Sequence, residues 1–252
     1  MPDKRADERA ESGAPTALAA DARSGQLAPD LRLQILTTEH WSLLSTRALS
    51  WNESFSRVAM FLSVLSGAVV ALALVAGSFR EGVVTFALLI LPVVLFLGMA
   101  TFVRLVEINH EDVRWVIGMN LLRHAYLEGA PELRPYFITG WHDDEAGIMA
   151  TFGAKPGPGG FAHEFVTAPG VIAVVDGVLA GVLTAIVGTQ VGVDASLTLA
   201  GSIAAGLLTI VVLAVYQYRG AVRTRAMRQA RFPADVVRVQ DSGSRAEPGG
   251  SR

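Results

Sequence analysis

Four stretches of the chain, 58–77, 83–103, 171–193 and 195–216, are almost wholly apolar, each of roughly the 20 residues that a ~30 Å hydrocarbon layer requires of a helix. Inside lipid every backbone N–H and C=O must find its partner within the protein, so stretches of this kind resolve into helices or closed barrels. Unbroken apolarity without period-two alternation selects helices. The stretches come in two close pairs, one joined across Ser78 to Gly82 and the other at Asp194, which predicts an all-α membrane protein with four transmembrane helices in two hairpins. Composition agrees: 51% of residues are hydrophobic, 17% are charged, against about a quarter in soluble domains, and mean hydropathy is +0.41.

Outside these stretches the chain divides by pattern. Residues 1–29 mix charged and small residues without apolar periodicity and read as a disordered tail. Residues 30–128 form the first unit. Asp30 stands where an N-cap would, and Leu33, Leu36, Leu43, Leu44, Trp51 and Phe55 recur at helical spacing, with no Pro or Gly from Leu31 to Ser66. That predicts an amphipathic helix running straight into the first span. Pro92 lies mid-span in the second helix and is expected to bend it. The same rhythm continues after the second span through Leu105, Ile108, Val113, Val116, Ile117, Leu121 and Leu122, and stops at Gly129-Ala130-Pro131. The two extensions are expected to lie antiparallel as a cytoplasmic stalk.

Residues 129–160 form a loop with Tyr136, Phe137, Trp141 and Phe152 as anchors, Asp143 or Asp144 as a helix cap, and a flexible Pro- and Gly-rich joint at 154–160. Residues 161–231 hold the second hairpin and a basic helical extension, and 232–252 a polar tail.

Orientation follows from charge. Of 21 Lys and Arg residues only Arg80 lies in a short inter-span turn. Retention of basic residues inside the cell predicts cytoplasmic termini and a cytoplasmic central loop. The first apolar stretch begins too deep in the chain for a cleavable signal. The absence of cysteine excludes disulfides, thiolate metal sites and cysteine nucleophiles, and a net charge of -2 gives no reason to expect nucleic acid. The preference for Arg over Lys and the abundance of Ala and Gly suggest a bacterial genome rich in G and C, hence the bacterial cytoplasmic membrane.

A few constellations remain for function. Asp176 is the formal charge well inside a span; burying it costs on the order of 3 kcal/mol at a helix centre, so it must face protein or water. It reads either as a proton or cation site or as a structural acid paired with Arg219, Tyr216 or Arg104. Gly177, Gly181, Gly188 and Gly192 form two GxxxG pairs on nearly one face, suited to close packing within the hairpin or to oligomer packing around a pore. Arg219, Arg223, Arg225, Arg228 and Arg231 lie beneath the membrane, where they serve as a topology anchor or attract anionic headgroups. Five histidines occur, at His40, His110, His124, His142 and His163, several of them beside acids, as in His110-Glu111-Asp112, His142-Asp143-Asp144-Glu145 and His163-Glu164, but none shows the spacing of a helical metal pair, and these runs read as solvated loops. No phosphate loop, dinucleotide fingerprint or nucleophile elbow is present, so no cofactor, metal ligand or catalytic residue is assigned.

The segments LQILTTEHWSLLSTRALSWNESFSRVAMFLSVLSG, LVEINHEDVRWVIGMNLLRHAYLE and PYFITGWHDD resemble an uncharacterised family of actinobacterial integral membrane proteins. The resemblance covers less than half of the chain and implies four spans, with no activity and no functional residues to carry over. The layout of the first hairpin is also similar to small two-span domains proposed as pore-forming effectors in bacterial conflict systems. The expectation is therefore a non-enzymatic protein that self-associates or binds a membrane-protein partner, in contact with lipid, with pore formation among its outcomes and with Trp41, Trp51 and Trp115 exposed on the stalk as contacts. The alternatives are a small transporter coupled to protons or ions through Asp176, and a metal-dependent membrane enzyme on the central loop.

Overall fold

A computed structural model describes residues 27–79, 82–153, 167–226 and 229–234. Helix α1 runs from Pro29 to Ser78 and α2 from Val83 to Gly129; a 3-10 turn at Pro131–Tyr136 and the short α3 (Glu145–Phe152) follow; α4 (Ala168–Val191) and α5 (Ala195–Ala226) complete the chain. No strand occurs among the described residues. Helices α1, α2, α4 and α5 are each long and apolar enough to cross a membrane. Their outward side chains, such as Leu89, Phe96, Leu207 and Leu208, are large, apolar and exposed, as suits a surface wetted by lipid rather than water. The chain is a multi-pass, all-helical membrane protein.

The disordered reading of 1–29 falls almost wholly outside the described residues, as does the joint at 154–160. The first helix starts earlier than expected. Pro29, preorganised for the first helical position, opens α1 after Ala28, so Asp30 sits inside the first turn and caps nothing through its side chain. Helix α2 runs on through Pro92, whose side is exposed, and ends at Gly129 as the sequence predicts. Asp144 is the cap of α3, accepting from the Gly147 amide at 2.8 Å. Gly153 and Gly192, with φ of 65° and 77°, close α3 and α4 in the left-handed region that favours glycine.

Helix α2 is central: α1 and α4 pack along it, α5 touches it, and α5 lies mainly against α4. Opposite directions of α1 and α2 follow from their ion pairs, since Arg32 reaches Glu128, Arg47 reaches Asp112 and Glu53 reaches Arg104. The membrane-level core joins Phe61 of α1, Val94, Phe102 and Leu105 of α2, Ile172 of α4 and Leu213 of α5. A smaller core outside the apolar stretches joins Val116 and Met119 to Ile148, with Leu43 against them.

The expected aromatic anchors of the loop divide, Phe137 and Trp141 being half-buried. Tyr136 and Phe152 are exposed, and polar pairing holds the loop instead. Asn120, fully buried, donates to the His142 carbonyl at 2.8 Å while its own oxygen accepts from Thr151 and Arg123, both at 2.9 Å. Both the nitrogen and the oxygen of the buried Asn120 amide are thereby matched.

Candidate functional site

Three arrangements stand out, and the first lies on the stalk. Asp112 of α2, nearly buried, accepts from Arg47 at 2.7 Å and from the Trp51 indole N–H at 3.3 Å. About two helical turns nearer the membrane, Arg104 forks onto both oxygens of Glu53, at 2.9 and 3.1 Å, and also meets Glu107 and Glu111. Hydrogen bonds from Arg104, then Arg57, hold the Glu53 carboxyl at about 2, well below its ordinary 4.5. Burial, then the positive charge of Arg123, lowers His40.

These bonds fix one side of α1 and leave another bare. Trp41, Leu44, Ala48, Trp51 and Phe55 follow one another at alternating steps of three and four, the spacing of a coiled-coil seam, and all are exposed. Trp41 and Phe55 are each 64% exposed. The Trp51 and Phe55 rings lie 6.0 Å apart, and the bond from Trp51 to Asp112 holds that indole from behind. Rigid aromatics of this kind lose little side-chain entropy on docking. Trp115 departs from the expectation: it is half-buried, with its indole nitrogen enclosed, and contributes nothing to the bare stripe.

The second arrangement surrounds Asp176. Its side chain is fully buried and neither oxygen has a hydrogen-bond partner. The expected pairing with Arg219, Tyr216 or Arg104 is not formed, since Arg104 is taken up by the three glutamates and Arg219 and Tyr216 line a cleft elsewhere. What Asp176 meets is Gly98 of α2: a Cβ at Gly98 would stand 1.8 Å from its Oδ1. The glycine opens the room that the carboxyl fills.

The neighbouring glycines pack within the protomer. A Cβ at Gly177 would meet the Gly206 carbonyl at 2.9 Å, one at Gly181 the Ser202 carbonyl at 3.0 Å, and one at Gly188 the Thr198 side chain at 2.9 Å. The face they form is covered by α5, so it is not free for a second copy. Gly192 belongs to the helix cap rather than to this contact.

The third arrangement has no counterpart in the sequence reading. Asp143, buried, accepts from the amides of Arg231 at 2.7 Å and Phe232 at 2.9 Å, and Asp144 accepts from Ala234 at 2.8 Å. The Phe232 ring stacks on His124 with centroids 4.1 Å apart, and His142 Nδ1 lies 3.1 Å from the Phe232 carbonyl. The supposed solvated run His142-Asp143-Asp144 is thus a receptor for residues 231–234. Two successive acids ahead of a capped helix were the available signal.

The arginine cluster divides accordingly. Arg219 and Arg223 line the cleft between α2 and α5, Arg225 lies 3.3 Å from Glu145, Arg231 binds through its backbone, and Arg228 lies outside the described residues. Among the described residues no three His, Asp or Glu side chains converge as a metal site would require; His163 and Glu164 lie outside them. Compared with models of protein families, with curated proteins and with solved structures, the chain matches none.

Proposed function

We propose that this is a non-enzymatic protein of the bacterial cytoplasmic membrane that acts by self-association through the α1 stalk, with pore formation or recruitment of a membrane partner as the consequence. The observation that carries the reading is the bare stripe of Trp41, Leu44, Ala48, Trp51 and Phe55 on a helix segment outside the apolar spans. Fully burying one large apolar side chain is worth about 1.5–3 kcal/mol, so leaving four of them in water is costly unless a second surface covers them. Copies in one membrane share their orientation, so the stripe of one faces the stripe of its neighbour in parallel, as a two-fold interface requires. The distribution of basic residues supports a cytoplasmic stalk and cytoplasmic termini. Light scattering of the detergent-solubilised protein, corrected for bound detergent, is expected to give a mass that is a multiple of the protomer's. A strictly monomeric mass at all concentrations would sink the reading.

A second reading, transport coupled to a proton or cation through Asp176, draws support from that carboxyl's burial without a partner. Asp176→Asn is then expected to abolish proton flux in proteoliposomes; unchanged flux removes transport through this residue.

A further inference from the structure

Helix α5 touches α2 only lightly, and a cleft of about 710 Å³ opens between them. Its two ends differ in chemistry. Val211, Val212 and Val215 line the end at the level of the apolar stretch, while Arg219, Arg223 and His110 line the end beyond it. Tyr216 stands between, its ring 6.4 Å from that of Phe102. Gly220 keeps this wall thin, since a Cβ there would stand 2.6 Å from the His110 ring.

The gradient from valine to arginine along one helix matches an amphiphile whose apolar part lies in the membrane and whose anionic part lies at its surface. We propose that the cleft between α2 and α5 is a binding site for an anionic phospholipid, with Arg219 and Arg223 on the phosphate and Val211, Val212 and Val215 along the acyl chains. Neither arginine has an acidic partner among the described residues, whereas Arg225, two positions on, is engaged by Glu145. Among the described residues Glu107 is the carboxylate in the lining; it accepts from Arg104 at 3.2 Å, and two arginines stand against this one acid. The volume falls within the usual range for small-molecule pockets, about 300–1,000 Å³, enough for a headgroup and the first part of the chains. A cleft that is polar at one end only, and whose valines Val211, Val212 and Val215 are exposed at the membrane level, suits a lipid better than a solute arriving from water.

The site is independent of the α1 stripe, so its test does not depend on the oligomeric state. Native mass spectrometry of the full chain in detergent, titrated with phosphatidylglycerol, phosphatidylcholine or inorganic phosphate, reads the binding directly. Phosphatidylglycerol is expected to bind at least tenfold more tightly than phosphatidylcholine. Arg219→Ala with Arg223→Ala is expected to lose about thirtyfold, following the usual contribution of one basic side chain near an anionic headgroup. Arg219→Lys with Arg223→Lys is expected to keep most of it, and Arg225→Ala all of it. Val212→Trp, which fills the apolar end without touching charge, is expected to weaken binding as well. Equal affinity for the two lipids, an unchanged double alanine variant, or inorganic phosphate displacing the lipid would each overturn the proposal, the last in favour of a soluble phosphate site.

Discussion

Replacing Gly98 by alanine places a methyl carbon 1.8 Å from Asp176 Oδ1 and 2.7 Å from its Cγ, well inside van der Waals contact. The carboxyl has no hydrogen bond to lose by moving, yet it is fully enclosed, so relief must come from a shift of α4 against α2. Overpacking of a tight interior by one methyl costs about 1–3 kcal/mol. In a chain of this size that corresponds to a fall of roughly 2–12 °C in unfolding temperature, at about 2–4 °C per kcal/mol. Thermal unfolding followed by circular dichroism in detergent measures it. Asp176→Ala removes the oxygens and the carbon that the new methyl strikes, so the double variant Gly98→Ala, Asp176→Ala is expected to recover most of the loss, a coupling of at least about 1 kcal/mol. The single Asp176→Ala variant, which exchanges a buried unpartnered carboxyl for a small apolar group, is expected to change little. Strictly additive effects, or a Gly98→Ala variant as stable as the parent, would refute the placement of Asp176 against α2.

Other consequences lie outside the apolar stretches. Because the folded-state value of Glu53 is depressed from 4.5 to about 2, its contribution to stalk stability is complete above about 4.5 and is lost as pH falls from there through about 2; Glu53→Gln is expected to flatten acid unfolding in that window. His40 is likewise lowered, here from 6.5, so folding favours its neutral form and stability is expected to decline as pH drops below 6.5, a decline that His40→Gln removes. Asp112→Ala leaves the Arg47 guanidinium and the Trp51 indole without their shared acceptor and is expected to destabilise the stalk by about 3 kcal/mol, read as a lower unfolding temperature. Asp143→Ala removes two charge-assisted bonds to the backbone at Arg231 and Phe232; cleavage by trypsin after Arg231 is expected to quicken at least tenfold, and an unchanged rate would show that residues 231–234 are held by other contacts.

The four spans and the two long extensions were legible because lipid and helix impose one-dimensional patterns: length of apolar run, spacing of three and four, and a Gly-Ala-Pro stop at 129–131. The Asp144 cap was legible for the same local reason. Features that depend on which helix turns which side to its neighbour were not. Trp41, Trp51 and Trp115 look alike in sequence, yet Trp115 turns inward beside the buried Asp112 to Met119 side of α2 while the other two stay bare. Gly192 shares the spacing of Gly188 but stands one residue beyond the last turn of α4, where positive φ rather than packing requires it. The pairing of Asp143 with Arg231 and Phe232 joins residues almost ninety positions apart, beyond the reach of any local pattern. The lack of a partner for Asp176 could not be foreseen either, since Arg104, one of its expected partners, is drawn off by Glu53, Glu107 and Glu111.

The most direct test of self-association through the stalk uses the absence of cysteine from the chain. In membranes, a single Ala48→Cys variant places a thiol at the middle of the bare stripe, and Leu49→Cys places one that is exposed but off it. A disulfide requires Cα atoms within about 7 Å of each other. Mild oxidation is expected to convert the Ala48→Cys variant to a covalent dimer and to leave Leu49→Cys monomeric. Equal cross-linking of the two, or none at Ala48→Cys, would contradict an interface along Trp41, Leu44, Ala48, Trp51 and Phe55.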